Sequence, residues 1–416
     1  MFKPLLAAFL AAASLTACTT TSASTAPVAP PIPIAAPAEV RAPVTILISI
    51  DGFHPDYLKR GVTPVLSRLA AEGVTGPMRP SFPSKTFPNH WTLVTGLRPD
   101  RHGIVGNRME DPADPKTVFT MASDNPAWWS AAEPIWVAAE KAGVRTATQF
   151  WPGSNVPLGD GVRPSDWQQY NQAITTTQRV NGILDWLRRP AEIRPKLLTL
   201  YFEAVDSAGH AYGPDSPQVN AAAADVDAAV GALVEGLTAL GQPANLVVVA
   251  DHGMAATSTS RVVALDKLVD ASFYRVVEAG PYASLTPLPG REAAVEKALI
   301  APHEHMQCWR KGELPARLHY GRNARVPAIL CLAETGWQVL PTTPAEPRRG
   351  GAHGYDNMAP EMEALFIANG PAFARGGTVP AFDNVDVYPL LRDLIGLPQA
   401  PGVDGSDTVF RSARAR

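Results

Sequence analysis

Residues 44–51 read VTILISID, an apolar run closed by an aspartate. A run of that length without polar alternation is the pattern of a strand buried on both faces. The same sentence is written twice more. LLTLYFEAV (197–205) precedes Asp206-x-x-x-His210, and NLVVVA (245–250) precedes Asp251-His252-Gly253. A fourth cluster, His353 in GGAHGYDN (350–357), follows no apolar run. In a parallel α/β sheet, residues just past the strand C-termini converge on one crevice. Three Asp and three His from across the chain can therefore meet. Carboxylate plus imidazole is the ligand set of a hydrolytic zinc site, and six such groups suffice for two metals.

Helical signals alternate with the strands. A helix is expected from about Thr63, with Pro64 at its first position and Gly73 past its end. EPIWVAAEKAG (133–143) reads as an amphipathic helix closed by Gly143, and RTATQF (145–150) as the next strand. Ser216-Pro217 opens a long Ala-rich helix towards Gly241; EALFIA (363–368) is a strand and NVDVYPLLRDLIG (384–396) a helix. The fold class expected is α/β, a mostly parallel central sheet with helices on both faces. Residues about 260–345 break the pattern with short apolar runs between Pro and Gly. They predict a small antiparallel or irregular insertion between Asp251-His252 and His353. The catalytic domain so defined runs from 44 to 416.

The chain has 416 residues, 46% of them hydrophobic, and a net charge of −3, which leaves no basic footprint for stable nucleic-acid binding. Lys3 and LLAAFLAAASL form the charged and apolar regions of an export signal. Leu15-Thr16-Ala17-Cys18 resembles a bacterial lipobox, so residues 1–18 read as a lipoprotein signal peptide with Cys18 as the membrane anchor. Residues 19–43, rich in Ala, Pro, Ser and Thr, read as a tether. Thr19 after Cys18 favours an outer-membrane lipoprotein facing the periplasm. In that oxidising compartment Cys308 and Cys331 suggest a disulfide, with two buried thiols as the alternative.

Among the clusters, Asp206 and His210 at i, i+4 share one face of a helical turn, as two ligands of one ion require. Gly253 is expected to let the backbone bend so that Asp251 and His252 both turn inward. His54, His90, His102, His303, His305 and His319 lack such context and read as structural. In Pro83-Ser84-Lys85-Thr86-Phe87-Pro88, a helix is expected to open at Pro88 and end at Gly96. Thr86 thus lies beside a helix N-terminus, where backbone N–H groups favour an anion such as phosphate. A metal-activated hydroxyl there is a nucleophile candidate. Ser84 competes with Thr86 on the same grounds, and plain capping is the simpler alternative.

The stretches SIDGFHPDYL, PSFPSKTFPNHWTLVTGLRPDRHGIVGN, EAVDSAGHAYGP, VVVADHGM, ELPARLHY and GAHGYDN, in this order, resemble the nucleotide pyrophosphatase/phosphodiesterase family of the alkaline phosphatase superfamily. The resemblance favours Thr86 over Ser84. It implies two Zn2+ per chain, one held by Asp206, His210 and His353 and the other by Asp51, Asp251 and His252 with Thr86 beside it. It further implies that Asn107 and the Thr86 N–H hydrogen-bond phosphate oxygens, and that a phospho-threonine forms. Phe87, Trp151 and Tyr170 match the family's nucleoside pocket, with Met121 as a candidate aliphatic partner. The reading is a hydrolase of nucleotide phosphodiester and phosphoanhydride bonds that releases nucleoside 5′-monophosphates. Rivals are a lysophospholipid or choline-type phosphodiesterase, a phosphomonoesterase, and a non-catalytic binding lipoprotein. Lys85 is the one additional cation near Thr86 that would suit a monoester.

Overall fold

The structure, a computed structural model, describes residues 39–346 and 348–415; the signal, Cys18 and tether residues 19–38 lie outside them. Residues 39–43 are irregular and lead into strand β1 (Val44–Ile50), whose seven residues are all buried. The central sheet contains, in chain order, β1, β2 (Val74–Thr75), β3 (Thr146–Gln149), β4 (Asp166–Gln168), β5 (Leu197–Phe202), β6 (Ala244–Val249), β7 (Phe366–Asn369) and β8 (Gly377–Thr378). Across the sheet the order is β8-β2-β7-β6-β1-β5-β3-β4. Every neighbouring pair is parallel except those made by β7, which runs antiparallel to β6 and β2. The three runs that each lead into an aspartate are the adjacent parallel strands β6, β1 and β5 at the sheet's centre.

Two groups of helices cover the sheet. α1 (Pro64–Glu72), α4 (Thr176–Leu187) and α6 (Pro217–Ala239) pack together; α2 (Thr86–Thr95), α3 (Ile135–Lys141) and α8 (Val387–Leu394) form the second group, and α5 (Ala204–Tyr212) packs on α6. The ends follow local chemistry. Pro64 and Pro217 occupy first positions, where a missing N–H has no helical cost. Ser216 accepts from the Val219 N–H, and Thr175 forms a capping box with Gln178. α3 departs from the amphipathic expectation: Ile135 to Ala139 are all buried, so it presents no polar stripe over its first five residues.

The insertion carries a four-stranded antiparallel sheet in the order 274–278, 282–287, 329–333, 306–310, with α7 (Glu292–Leu299) against it. A parallel pairing of Val262–Ala264 with Gln338–Leu340 brings its two ends together. It has its own core, including Leu285, Val295, Leu299 and Ile329. Cys308 and Cys331, opposite one another on neighbouring strands, form a disulfide. No helix among the described residues is long and apolar enough to cross a membrane.

Candidate active site

The C-terminal ends of β1 and β6 deliver Asp51, Asp251 and His252, and α5, starting two residues after β5, delivers Asp206 and His210. His353 arrives at the end of the strand Arg349–Ala352, which pairs with Ala255–Ser258 just past β6. Gly253 serves a purpose other than bending. Its φ is not positive; a side chain there would meet the Glu361 carbonyl oxygen at 2.2 Å, so the glycine provides room for a close backbone crossing.

All six candidate ligands converge. His353 Nε2 lies 3.1 Å from His210 Nε2 and 3.6 Å from Asp206 Oδ1, and His210 Nε2 is 3.4 Å from Asp206 Oδ1. His252 Nε2 lies 2.9 Å from Asp251 Oδ2, 3.5 Å from Asp51 Oδ1 and 3.4 Å from Thr86 Oγ1. The His252 and His353 rings stack with centroids 3.5 Å apart, so the two clusters are contiguous. The Asp206–His210–His353 trio forms one group whose ligand atoms fall within 4.8 Å of one another. The second trio is less separate, because Asp206 also groups with Asp51 and His252, and His90 with Asp51 and Asp251.

His90 is the residue whose importance the sequence hides. It is fully buried on α2, one turn after Thr86. Its Nδ1 faces the Thr86 carbonyl at 2.9 Å, which can only accept, so Nδ1 carries the hydrogen. Nε2 then accepts from the Ser49 hydroxyl at 2.8 Å. Both nitrogens are committed, which makes His90 a support for Thr86 rather than a ligand. Burial pushes it down to about 3, so it stays neutral. The sequence signal for this role is its i, i+4 spacing from Thr86.

The other three histidines at the site instead turn Nε2 towards it. Nδ1 of His210, His252 and His353 lies 2.8, 2.9 and 2.8 Å from the carbonyls of Gly351, Gly253 and Ser84. Each Nδ1–H donates to backbone, leaving the Nε2 lone pair facing the site, the outer-shell arrangement of a metal-binding histidine. His210 and His353 thus point two lone pairs at each other, an arrangement a cation would relieve. The carboxylates repeat the theme. Tyr201 donates to Asp51 Oδ2 at 2.7 Å and the Gly52 N–H to Asp251 Oδ1 at 3.2 Å. Asp51 Oδ1, Asp251 Oδ2 and Asp206 Oδ1 are buried without a hydrogen-bond partner. Burial, then the neighbouring Asp251 and Asp206 charges, push the Asp51 carboxyl well above the usual range; burial, then Asp206, does the same to Asp251. Burial depresses His252 and, more strongly, His353. Unsatisfied carboxylate oxygens and outward imidazole lone pairs around one point fit divalent cations of the kind nitrogen and oxygen ligands prefer.

Thr86 occupies the first position of α2, two residues earlier than the helix start expected at Pro88. N–H groups at that end have no partner within the helix. Thr86 lines a cavity of about 550 Å3 together with Asn107, Asp51, Asp206, His210 and His353. Ser84, by contrast, does not line it: it is fully buried and its hydroxyl donates to the Tyr355 carbonyl. The Phe87 N–H donates to Asn107 Oδ1 at 2.9 Å, which fixes the amide so that its NH2 remains for another acceptor.

Phe87, Trp151, Tyr170 and Met121 all reach this cavity, in different ways. Phe87 packs on Phe119 and Trp129. Tyr170 stands half-exposed at the rim, edge-on to Phe150 and Tyr201, and Met121 is exposed. Trp151 is a wall: it is 2% exposed and its indole N–H donates to the His90 carbonyl. Phe150, Tyr201 and Glu203 also line the cavity, the last paired with buried Arg179. They lie at strand ends, and only Glu203 falls in one of the family-resembling stretches, EAVDSAGHAYGP. Lys85 is not among the lining residues; its Nζ lies 3.7 Å from Glu278 of the insertion.

A doubly covered α/β sheet that gathers carboxylates, imidazoles and a helix-terminal hydroxyl at its strand C-termini defines a class suited to phosphoryl transfer. The chain belongs to the type I phosphodiesterase/nucleotide pyrophosphatase family, whose profile matches residues 45–356. It is 41% identical over 377 residues to ectonucleotide pyrophosphatase/phosphodiesterase family member 1 of Mus musculus, covering 86% of this chain and 41% of that protein. It therefore spans about two fifths of that relative's length. An uncharacterized pyrophosphatase/phosphodiesterase of Schizosaccharomyces pombe is 39% identical, with 86% of this chain and 77% of that protein covered. The bis(5′-adenosyl)-triphosphatase of Xenopus laevis is 38% identical, with 86% and 78% covered. Among solved structures, an inactive form of murine ectonucleotide pyrophosphatase/phosphodiesterase 5 in complex with AMP superposes with a TM-score of 0.85 at 34% identity, covering 90% of this chain and all of that one.

Proposed function

We propose that this protein is a two-zinc phosphodiesterase and nucleotide pyrophosphatase that releases nucleoside 5′-monophosphates through a phospho-threonine. The observation that carries the reading is the cavity beside Thr86. Its walls include Phe87, Trp129, Phe150 and Tyr170, and no lysine or arginine is among its described lining residues. A diester's second arm needs such an apolar, aromatic space, whereas a dianionic monoester calls for an added cation. Lys85, the one candidate for that part, is paired with Glu278. Relatives named as a bis(5′-adenosyl)-triphosphatase and as a complex with AMP support a nucleotide as the substrate.

Asp206, His210 and His353 would hold one zinc, and Asp51, Asp251 and His252 the other. A bound zinc pair supplies Lewis-acid stabilisation of developing negative charge on oxygen. The Thr86 hydroxyl gives its proton to solvent water as its oxygen forms the new bond to phosphorus and the bond to the leaving oxygen breaks. The NH2 of Asn107 and the Thr86 N–H would donate to the other phosphate oxygens. His90 holds the Thr86 carbonyl, and Trp151 closes the far wall behind it. Water then displaces the threonine oxygen, which regains its proton. Phe87 and Tyr170 present aromatic faces to a base, a contact of about 1–3 kcal/mol.

The test compares bis(p-nitrophenyl) phosphate with p-nitrophenyl phosphate, and identifies the products from ATP. Faster cleavage of the monoester, or release of inorganic phosphate instead of AMP, overturns the reading. Choline diesters in the same panel decide the alternative diesterase. The lipoprotein assignment rests on the sequence around Cys18 alone. Palmitate labelling that survives Cys18→Ala would remove it.

A further inference from the structure

His210 lines a second space besides the catalytic cavity, a groove of about 500 Å3 whose walls include Thr257, Ser258, Thr259, Arg348 and Arg349. The two spaces therefore meet at a candidate metal ligand. The groove is anchored to that ligand by backbone. Arg349 begins the strand that pairs Ser258 with Arg349 and Thr257 with Gly350. A side chain at Gly350 would lie 2.4 Å from the His210 carbonyl oxygen, so this strand runs directly over α5. The next residue, Gly351, offers the carbonyl that takes the His210 Nδ1 hydrogen. Arg349 is thus two positions from the group that orients His210. The Arg348 N–H donates to Thr259 Oγ1, tying the second arginine's backbone to the same wall.

Most arginines nearby are already engaged. Arg60 pairs with Asp215, and Arg261 donates to the carbonyls of Gly336 and Ala256. Among the described residues the Arg348 and Arg349 guanidinium groups have no ion-pair or hydrogen-bond partner, and both are exposed. The acidic groups facing them are Glu346 in the groove and Asp215 beside Arg349. Two free guanidinium groups with three hydroxyl side chains form a polyanion-binding surface of the kind phosphates recognise. The catalytic cavity offers nothing comparable for charge beyond its metal ligands.

We infer that this groove is a leaving-group subsite that holds the phosphate chain departing from a nucleotide, such as pyrophosphate from ATP or the phosphorylated half of a dinucleoside polyphosphate. The inference rests on the function proposed above, because in-line displacement sends the leaving oxygen to the side opposite Thr86, towards Asp206, His210 and His353. A substrate then spans both spaces. Its base lies among the aromatics, its reacting phosphate lies at Thr86, and its remaining phosphates cross His210 to Arg349 and Arg348.

The experiment uses the full-length zinc-loaded protein with Thr86→Ala, alone and combined with Arg348→Gln and Arg349→Gln. Equilibrium dialysis measures ATP and AMP. ATP should bind about tenfold more tightly than AMP to Thr86→Ala, and the gap should close when both arginines are replaced or when salt screens them. Replacing both with lysine should restore part of it. In the Thr86 background, kcat/KM for ATP should fall about tenfold while p-nitrophenyl thymidine 5′-monophosphate, whose leaving group carries no phosphate, stays within about twofold. Equal losses on both substrates, or an ATP–AMP gap that survives the glutamines, overturn the subsite. If the parent cleaves neither substrate the proposed function fails, and dialysis still decides the groove. Matching circular dichroism spectra exclude misfolding as the cause of any loss.

Discussion

Asp51 combines two demands that pull in opposite directions. One carboxylate oxygen is satisfied by the Tyr201 hydroxyl and the other is buried with no partner. A bare buried carboxylate oxygen is costly unless something positive meets it. Tyr201 is therefore positioned as an outer support for a candidate ligand. Tyr201→Phe should weaken zinc affinity ~10–100-fold with little change in the fold; competition with a chromophoric chelator measures it, and unchanged affinity would show that the hydroxyl does not orient Asp51. Thr86 is the other decisive side chain. Thr86→Ala should lower turnover by at least ~10³-fold while zinc content and Tm stay near the parent's. Retained turnover would remove Thr86 as the nucleophile.

Elements turn these residues into a site through their ends. α2 starts at Thr86, so the nucleophile candidate is also the helix's first residue, and one turn later His90 grips its carbonyl. α5 spaces Asp206 and His210 by one turn and points both at the strand ends. In the insertion, the disulfide joins strands that are already hydrogen-bonded neighbours and closes a separation of 23 residues. Such a loop is worth about 3 kcal/mol in the chain-entropy account. Reduction, or Cys308→Ala with Cys331→Ala, should lower Tm by several degrees in differential scanning calorimetry. An unchanged Tm would mean that strand pairing alone supplies the constraint.

For the molecule as a whole, the site stores electrostatic tension that metal should release. Burial depresses His252 and His353, so folding leaves them with fewer protons than the unfolded chain; their contribution is complete above about 6.5 and is lost as pH falls. Burial raises Asp51 and Asp251, so the folded state holds protons the unfolded chain has released, and that contribution is lost as pH rises. Metal-free protein should therefore lose Tm as pH rises through the range to which the two carboxyls are raised, and zinc, which takes the ionised carboxylates, should flatten the slope. Calorimetry of chelated and zinc-loaded protein reads the difference. A gap that narrows with rising pH would contradict the ligand assignment.

The sequence by itself determined the sheet's centre, because a strand buried on both faces must be written as an uninterrupted apolar run. It also determined the residues at the ends of those runs, the i, i+4 pair on α5, the helix bounded by Pro64 and Gly73, and the family. It left Ser84 and Thr86 unresolved on local pattern, gave Tyr201 and Phe150 no mark, and marked His90 and Glu203 only as members of longer stretches. Only the tertiary structure gave these side chains their partners, since a hydroxyl's surroundings depend on which distant carbonyl or carboxylate it meets: Tyr355 for Ser84, Asp51 for Tyr201. It also gave Gly253 a close backbone crossing to accommodate and set Trp151, nearly buried, in the cavity wall with its indole N–H on the His90 carbonyl. Spacing along the chain carries periodicity and chemistry. Which lone pair faces the site, and which is spent on backbone, is fixed only when segments far apart in sequence pack together.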